Sequence, residues 1–153
     1  MVKSIRAGGM QKVESSGFMA MWLTVNRECN FRCKWCYAEG TKLSPNDNMS
    51  LETAKDLIDL ASDLGIKEII LIGGEPTYWK HLFDTIQYIH EKELISTLVT
   101  NGYLMSKNDF LAKIKLSNLR NISISLKAAN REQHEELTGV DAFSSVLRGI
   151  EEG

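Results

Sequence analysis

The sequence predicts an α/β fold: four strand–helix units in series on a parallel sheet. Apolar runs of strand length alternate with segments of helical periodicity, the alternation continues with no linker or low-complexity stretch, and a turn-rich or polar segment follows each run. Serial units of this kind place their strands parallel, joined by right-handed crossovers.

The first strand is "MAMWLTV", residues 19–25, apolar and β-rich, ending before a loop that holds every cysteine of the chain. That loop runs on through the turn residues of "TKLSPNDN" to Ser50, a predicted N-cap. Behind it Ala54, Leu57, Ile58, Ala61 and Leu64 keep helical spacing, and Gly65 is placed to stop the helix. "EIILI", residues 68–72, is the short continuous apolar run expected of a strand covered on both faces, and "GGEPTYW" follows it at once.

Leu82, Phe83, Ile86 and Ile89 mark a second amphipathic helix, "ISTLV" at 95–99 a third strand, and "TNG" its exit. Ser106 with Asp109 predicts a capping box for a third helix bearing Phe110, Leu111 and Ile114. "NISISL", residues 121–126, is the fourth strand. Asn130 with Gln133 caps a further helical stretch, broken near Gly139 and resumed through Phe143, Val146, Leu147 and Ile150. Trp22 and Trp79 are expected in the core or in helix packing, and "NREQHEE" on a solvated helix face.

The bulk numbers exclude several classes of function. At 153 residues the chain can bury a sizeable core without disulfide or metal staples, so stability does not account for its three cysteines. Eighteen basic against 20 acidic residues, net −2, argue against a dedicated binder of nucleic acid or anionic membrane. Residues 1–18, "MVKSIRAGGMQKVESSGF", read as an N-terminal extension whose charges and glycine pair interrupt what a signal peptide would need, and no later run approaches the roughly 18 apolar residues of a membrane span. The expected location is cytoplasmic, where clustered thiols are metal ligands or redox centres rather than disulfides.

"CNFRCKWC" sets Cys29, Cys33 and Cys36 within eight residues. Three thiols are one short of the closed tetrahedron of structural zinc and of the usual four-thiolate iron–sulfur site. They suit a cubane with one iron left open as a Lewis-acid position. The alternative, zinc with His81, His90 or His134 as fourth ligand, stays open on the sequence. In parallel α/β folds ligands gather at the carboxyl ends of the strands. The cysteine loop, "GGEP", "TNG" and Lys127 each follow one of the four strands, so the unusual chemistry falls on one rim. There Gly73 and Gly74 let backbone groups approach a ligand, Thr100 and Asn101 offer polar groups, and Lys127 supplies a cation fit for a carboxylate.

Together these residues resemble the radical S-adenosylmethionine superfamily: "CNFRCKWC" is similar to its CxxxCxxC signature, with an aromatic Trp35 before the last cysteine, and "GGEP" to its glycine-rich motif after the second strand. The resemblance spans about residues 19–150 and implies an incomplete TIM-type barrel as the radical-generating core, residues 19–153. It implies that Cys29, Cys33 and Cys36 hold a 4Fe-4S cluster whose fourth iron takes the amino and carboxylate groups of S-adenosylmethionine. Trp35 would then lie beside the adenine, and Gly73, Gly74 and Glu75 would meet the methionine amino group. Asn101 would add a polar contact, and Ser125 and Lys127 would reach the ribose or carboxylate. The implied reaction is reductive cleavage to methionine and a 5′-deoxyadenosyl radical that abstracts hydrogen from a protein, peptide or small-molecule substrate, with an external electron donor such as flavodoxin or ferredoxin.

"SLKAANREQHEELTG" is more narrowly similar to activating enzymes of glycyl-radical proteins, with Ser125 in place of their aspartate. The family's core usually has six strand–helix units and this chain shows four. A fragment, a short form, or half of an assembly completed by another chain or a second copy is therefore expected. A non-catalytic iron–sulfur module is the alternative function.

Overall fold

The computed structural model describes residues 19–37 and 48–153; the N-terminal extension and nearly all of the "TKLSPNDN" run lie outside the described residues. Four strands, β1 (Ala20–Thr24), β2 (Glu68–Ile72), β3 (Ile95–Thr100) and β4 (Asn121–Ile124), form one parallel sheet in the order β1-β2-β3-β4. They alternate with α1 (Leu51–Asp63), α2 (Leu82–Glu91) and α3 (Asn108–Leu116), and β4 leads into α4 (Arg131–Thr138) and α5 (Phe143–Glu152). This is a partial α/β barrel: the alternation in the sequence predicts the parallel sheet, and the family resemblance implies the barrel.

The register explains which face is covered. Leu23, Leu71, Leu98 and Ile122 are paired in turn across the four strands, and the first three are buried. Against that face α1 packs Ala54, Ile58 and Ala61, α2 packs Leu82, Ile86 and Ile89, and α3 packs Leu111 and Ile114. Fully burying one such aliphatic side chain stabilises by about 1.5–3 kcal/mol, so this cluster dominates the stability of the domain.

The neighbouring row, Trp22, Ile70, Thr97 and Asn121, points to the opposite, open face. There Trp22 is 63% exposed, contrary to the core position expected from its type. Strand alternation decides this: Leu23 and Val25 take the helix-facing positions, and Trp22 lies between the turns of that alternation. Trp79 is buried as expected, its indole N–H donating to the Met49 carbonyl at 2.9 Å.

The local end signals hold at both ends of α1 and of α4. The Ser50 hydroxyl accepts from the Thr53 amide at 3.0 Å, and the Asn130 side chain from the Gln133 amide at 2.9 Å. Gly65 and Gly139 adopt left-handed φ values of 77° and 69° just past α1 and α4, as helix-terminating glycines do. The Ser106 capping box does not form. Ser106 ends a 3-10 turn, Tyr103–Ser106, and donates its hydroxyl back to the Tyr103 carbonyl at 2.8 Å; Lys107 precedes α3 instead. Among the described residues no helix is long and apolar enough to cross a membrane.

Candidate functional site

Backbone pairing of β1 and β2 continues past the strands themselves. Val25 N–H donates to the Ile72 carbonyl (2.8 Å), Gly74 N–H to Asn26 (2.9 Å) and Glu75 N–H to Glu28 (2.7 Å), zipping the cysteine loop's first residues to the glycine turn. This zipper explains the glycine pair better than ligand access does. A Cβ on Gly73 would stand 2.2 Å from Asn26 Oδ1, and one on Gly74 2.4 Å from the Glu28 carbonyl oxygen. No residue but glycine lets the two segments approach so closely.

Glu75 joins the next pair of strand ends. Its side chain is buried, 1% exposed, and Oε1 accepts from the Thr77 amide (3.2 Å), the Thr77 hydroxyl (2.7 Å) and the Thr100 hydroxyl (2.6 Å), while Oε2 accepts from the Asn101 amide (2.7 Å). Burial pushes the carboxyl pKa up, and these hydrogen bonds pull against that rise. Asn101 carries the tie onward: its side-chain amide donates to Asn30 Oδ1 at 2.8 Å, inside the cysteine loop. Glu75 and Asn101 thus brace the rim, a role their position in the sequence did not disclose.

The residues that the resemblance assigns to cluster and cofactor line one cavity at the carboxyl ends of the strands: Cys29, Cys33, Cys36, Trp35, Gly73, Gly74, Glu75, Asn101, Ser125 and Lys127. Among the described residues Phe31, Tyr37, Ile72, Val99 and Thr100 also line it. Tyr37 was not anticipated. Its hydroxyl donates to the Gly73 carbonyl at 2.9 Å, a second strap between cysteine loop and glycine turn, and its only signal in the sequence is an aromatic residue next to Cys36. Trp35 is 51% exposed at the cavity mouth, a flat ring open to a planar partner.

The three cysteines are free and half-buried. Burial raises the Cys29 thiol pKa, with the Glu75 and neighbouring thiolate charges adding to the rise. Burial also raises that of Cys33, against the opposing pull of the Lys127 ammonium. Thiols held up in this way ligate only by giving their protons to a metal's competition. Among the described residues no three His, Cys, Asp or Glu side chains converge to hold a single ion. His81 packs edge-on to Trp79, His90 lies on α2 and His134 is buried under the cysteine loop; none lines the cavity, so the zinc reading lacks its fourth ligand there. The donor set, three thiols facing a glycine backbone with one lysine cation, fits a cluster with an open iron and a zwitterion bound against it.

The expectation of a solvated "NREQHEE" face holds except at His134, which is fully buried. Burial lowers its pKa, with the Lys127 charge acting in the same direction and Asp141 opposing.

A family model described as the radical SAM superfamily matches residues 23–152. GTP 3′,8-cyclase of Photorhabdus laumondii is 37% identical over 139 residues, covering 88% of this chain and 41% of that protein. A probable GTP 3′,8-cyclase of Thermococcus kodakarensis is 32% identical over 131 residues, covering 85% and 42%. The chain therefore spans about two fifths of the length of these curated relatives. Among solved structures, Streptococcus suis SuiB bound to its precursor peptide SuiA superimposes with a TM-score of 0.71 at 19% identity, covering 89% of this chain and 31% of that one. Methylornithine synthase superimposes at 0.68 with 14% identity, covering 88% and 41%. Both of these show the shared fold.

Proposed function

Because the chain belongs to the radical S-adenosylmethionine superfamily, whose members use a 4Fe-4S cluster and S-adenosylmethionine, we propose that its cavity binds both and generates a radical for hydrogen abstraction. The supporting observation is the convergence of three free thiols, a backbone-only glycine wall and Lys127 on one cavity at the strand ends. When bound, the reduced cluster supplies the electron that breaks the sulfonium carbon–sulfur bond of S-adenosylmethionine, leaving methionine and a 5′-deoxyadenosyl radical.

The chain's own residues bind and orient. Cys29, Cys33 and Cys36 ligate, with Lys127 offsetting thiolate charge beside Cys33 and offering its ammonium to a carboxylate. The Gly73 carbonyl, aimed by the Tyr37 hydroxyl, keeps a second lone pair for an ammonium donor. Trp35 offers a face for the adenine and Ser125 a hydroxyl for the ribose. Glu75 acts mainly through the rim it braces, since four donors already occupy its oxygens.

The relatives and neighbours each match most of this chain and differ in what their names say they act on. The two curated relatives are named as GTP cyclases and not as activases of glycyl-radical proteins, which leaves the "SLKAANREQHEELTG" likeness without support from them. A nucleotide substrate is the finer reading their names favour, a peptide the one the SuiB complex favours. Anaerobic reconstitution tests the core of the proposal: iron and sulfide should be taken up in equal amounts and lost in Cys33→Ala, and full retention by that variant would overturn it.

A further inference from the structure

The cysteine loop is held by α4 as well as by its own hydrogen bonds, such as Cys36 N–H to the Cys33 carbonyl. Arg32 and Lys34, on either side of Cys33, donate their backbone N–H groups to the Thr138 carbonyl (2.7 Å) and the Leu137 carbonyl (3.0 Å). These are carbonyls of the last turn of α4, which a helix end leaves without partners, so the loop and the helix satisfy each other. Gly139, next in the chain, has a left-handed φ of 69°, and a Cβ there would stand 3.2 Å from Arg32 Cβ and 3.3 Å from the Arg32 carbonyl oxygen. A side chain there would push on Arg32 by a few tenths of an ångström and strain the left-handed backbone, so glycine suits the close approach of α4 to the loop.

Side chains repeat the contact at a second level. Phe31, between Cys29 and Cys33, is 3% exposed and packs with Ala142 and Val146, the half-buried Cys29 and Cys33 resting against the same cluster. The buried His134 ring meets Phe31 edge-on at 5.9 Å and Phe143 of α5 at 5.6 Å. Among the described residues His134 Nε2 has no hydrogen-bond partner, so what the ring gives the loop is shape and packing rather than a polar contact. The Lys34–Glu136 pair across the surface is exposed on both sides and adds little.

We infer that α4 is part of the cluster site: its docking under the loop and retention of the cluster are thermodynamically linked, with His134 a positioning residue acting through Phe31 on Cys29 and Cys33. This rests on the proposed cluster binding. Linkage is reciprocal, so a bound cluster steadies α4 as much as α4 steadies the cluster. Any partner that grips the exposed face of α4, Glu132, Glu135 and Glu136, then acts on the cluster without touching it.

Hydrogen exchange on the wild-type chain, cluster-loaded against chelator-stripped, reads the linkage directly. Backbone amides of residues 134–139 should exchange about tenfold more slowly when loaded, a size ordinary for such coupling, while those of α2 stay unchanged. Equal exchange in α4 in the two states overturns the inference. Iron release to a chelator gives the second reading: His134→Ala should release about tenfold faster and His134→Phe, which keeps a ring, near the wild-type rate. Ile58→Val, which weakens the main core instead, should release at the wild-type rate despite a lower melting temperature. Release from His134→Ala at the wild-type rate, or from Ile58→Val as fast as from His134→Ala, contradicts it. A wild-type chain that takes up no iron and sulfide fails the proposed function itself, and with it the linkage.

Discussion

Asn101 donates its backbone N–H to Glu75 Oε2 at 2.7 Å, so a buried carboxylate ties the exit of β3 to the exit of β2. The same carboxylate takes three further hydrogen bonds from Thr77 and Thr100 on its other oxygen. Glu75→Gln keeps the shape and loses this pattern. A glutamine has one acceptor oxygen, and its NH2 would face either the Asn101 N–H or the Thr77 and Thr100 donors. The expected loss is about 1–3 kcal/mol in urea unfolding of the cluster-free protein, the usual cost of a buried group left unpaired. An unchanged midpoint would show that the brace carries no load.

The glycine turn gives a second prediction, with an internal control. Gly74→Ala drives a Cβ to 2.4 Å from the Glu28 carbonyl oxygen and 2.5 Å from that of Arg27, both backbone atoms held by the zipper between the strand exits. Overpacking of this kind costs about 3 kcal/mol or abolishes folding. Gly65→Ala has open space around it and only the left-handed φ of 77° to contend with, about 1 kcal/mol. Thermal melts of the two variants check the order, and equal losses would mean the zipper yields.

His134 predicts a pH dependence. Its pKa is lowered by burial, so the unfolded chain takes up the proton first as pH falls. The contribution is fully present above about pH 6.5, the unfolded value, and is lost progressively as pH drops below it. His134→Phe cannot titrate, so its urea midpoint should fall less than that of the wild type between about pH 7.5 and pH 5. Parallel declines would show that the imidazole is protonated freely in the fold.

Trp35 predicts a binding effect without a folding effect. The ring is half-exposed at the cavity mouth, so Trp35→Ala should leave the melting temperature within error. Losing one base-stacking face, worth about 1–3 kcal/mol, should raise the KM for S-adenosylmethionine about tenfold with cluster content intact. A KM equal to wild type would remove the indole from the cofactor site.

What was legible in the sequence followed from local rules. The "EIILI" run, the Ser50 and Asn130 caps and the break at Gly139 state their structures in adjacent residues, and strand-end logic sufficed to bring the cysteines, "GGEP" and Lys127 to one cavity. What was not legible depended on segments meeting in space. Glu75 reads as a ligand group until Thr100 and Asn101, 25 and 26 residues away, are seen to claim its oxygens. The glycine pair reads as access for a ligand until Asn26–Glu28 is found pressed against it. His134 hides in a charged run because one position of a short helix can turn inward while its neighbours stay in water. Trp22 is apolar and large, yet strand parity sends it to the uncovered face.

Reductive cleavage by this cavity is read out as 5′-deoxyadenosine formed from S-adenosylmethionine by the anaerobically reconstituted protein with dithionite, beside Cys33→Ala. The wild type should give product that depends on reductant and vanishes in the variant. Product that persists in Cys33→Ala, or a fully loaded wild type that forms none, would contradict it.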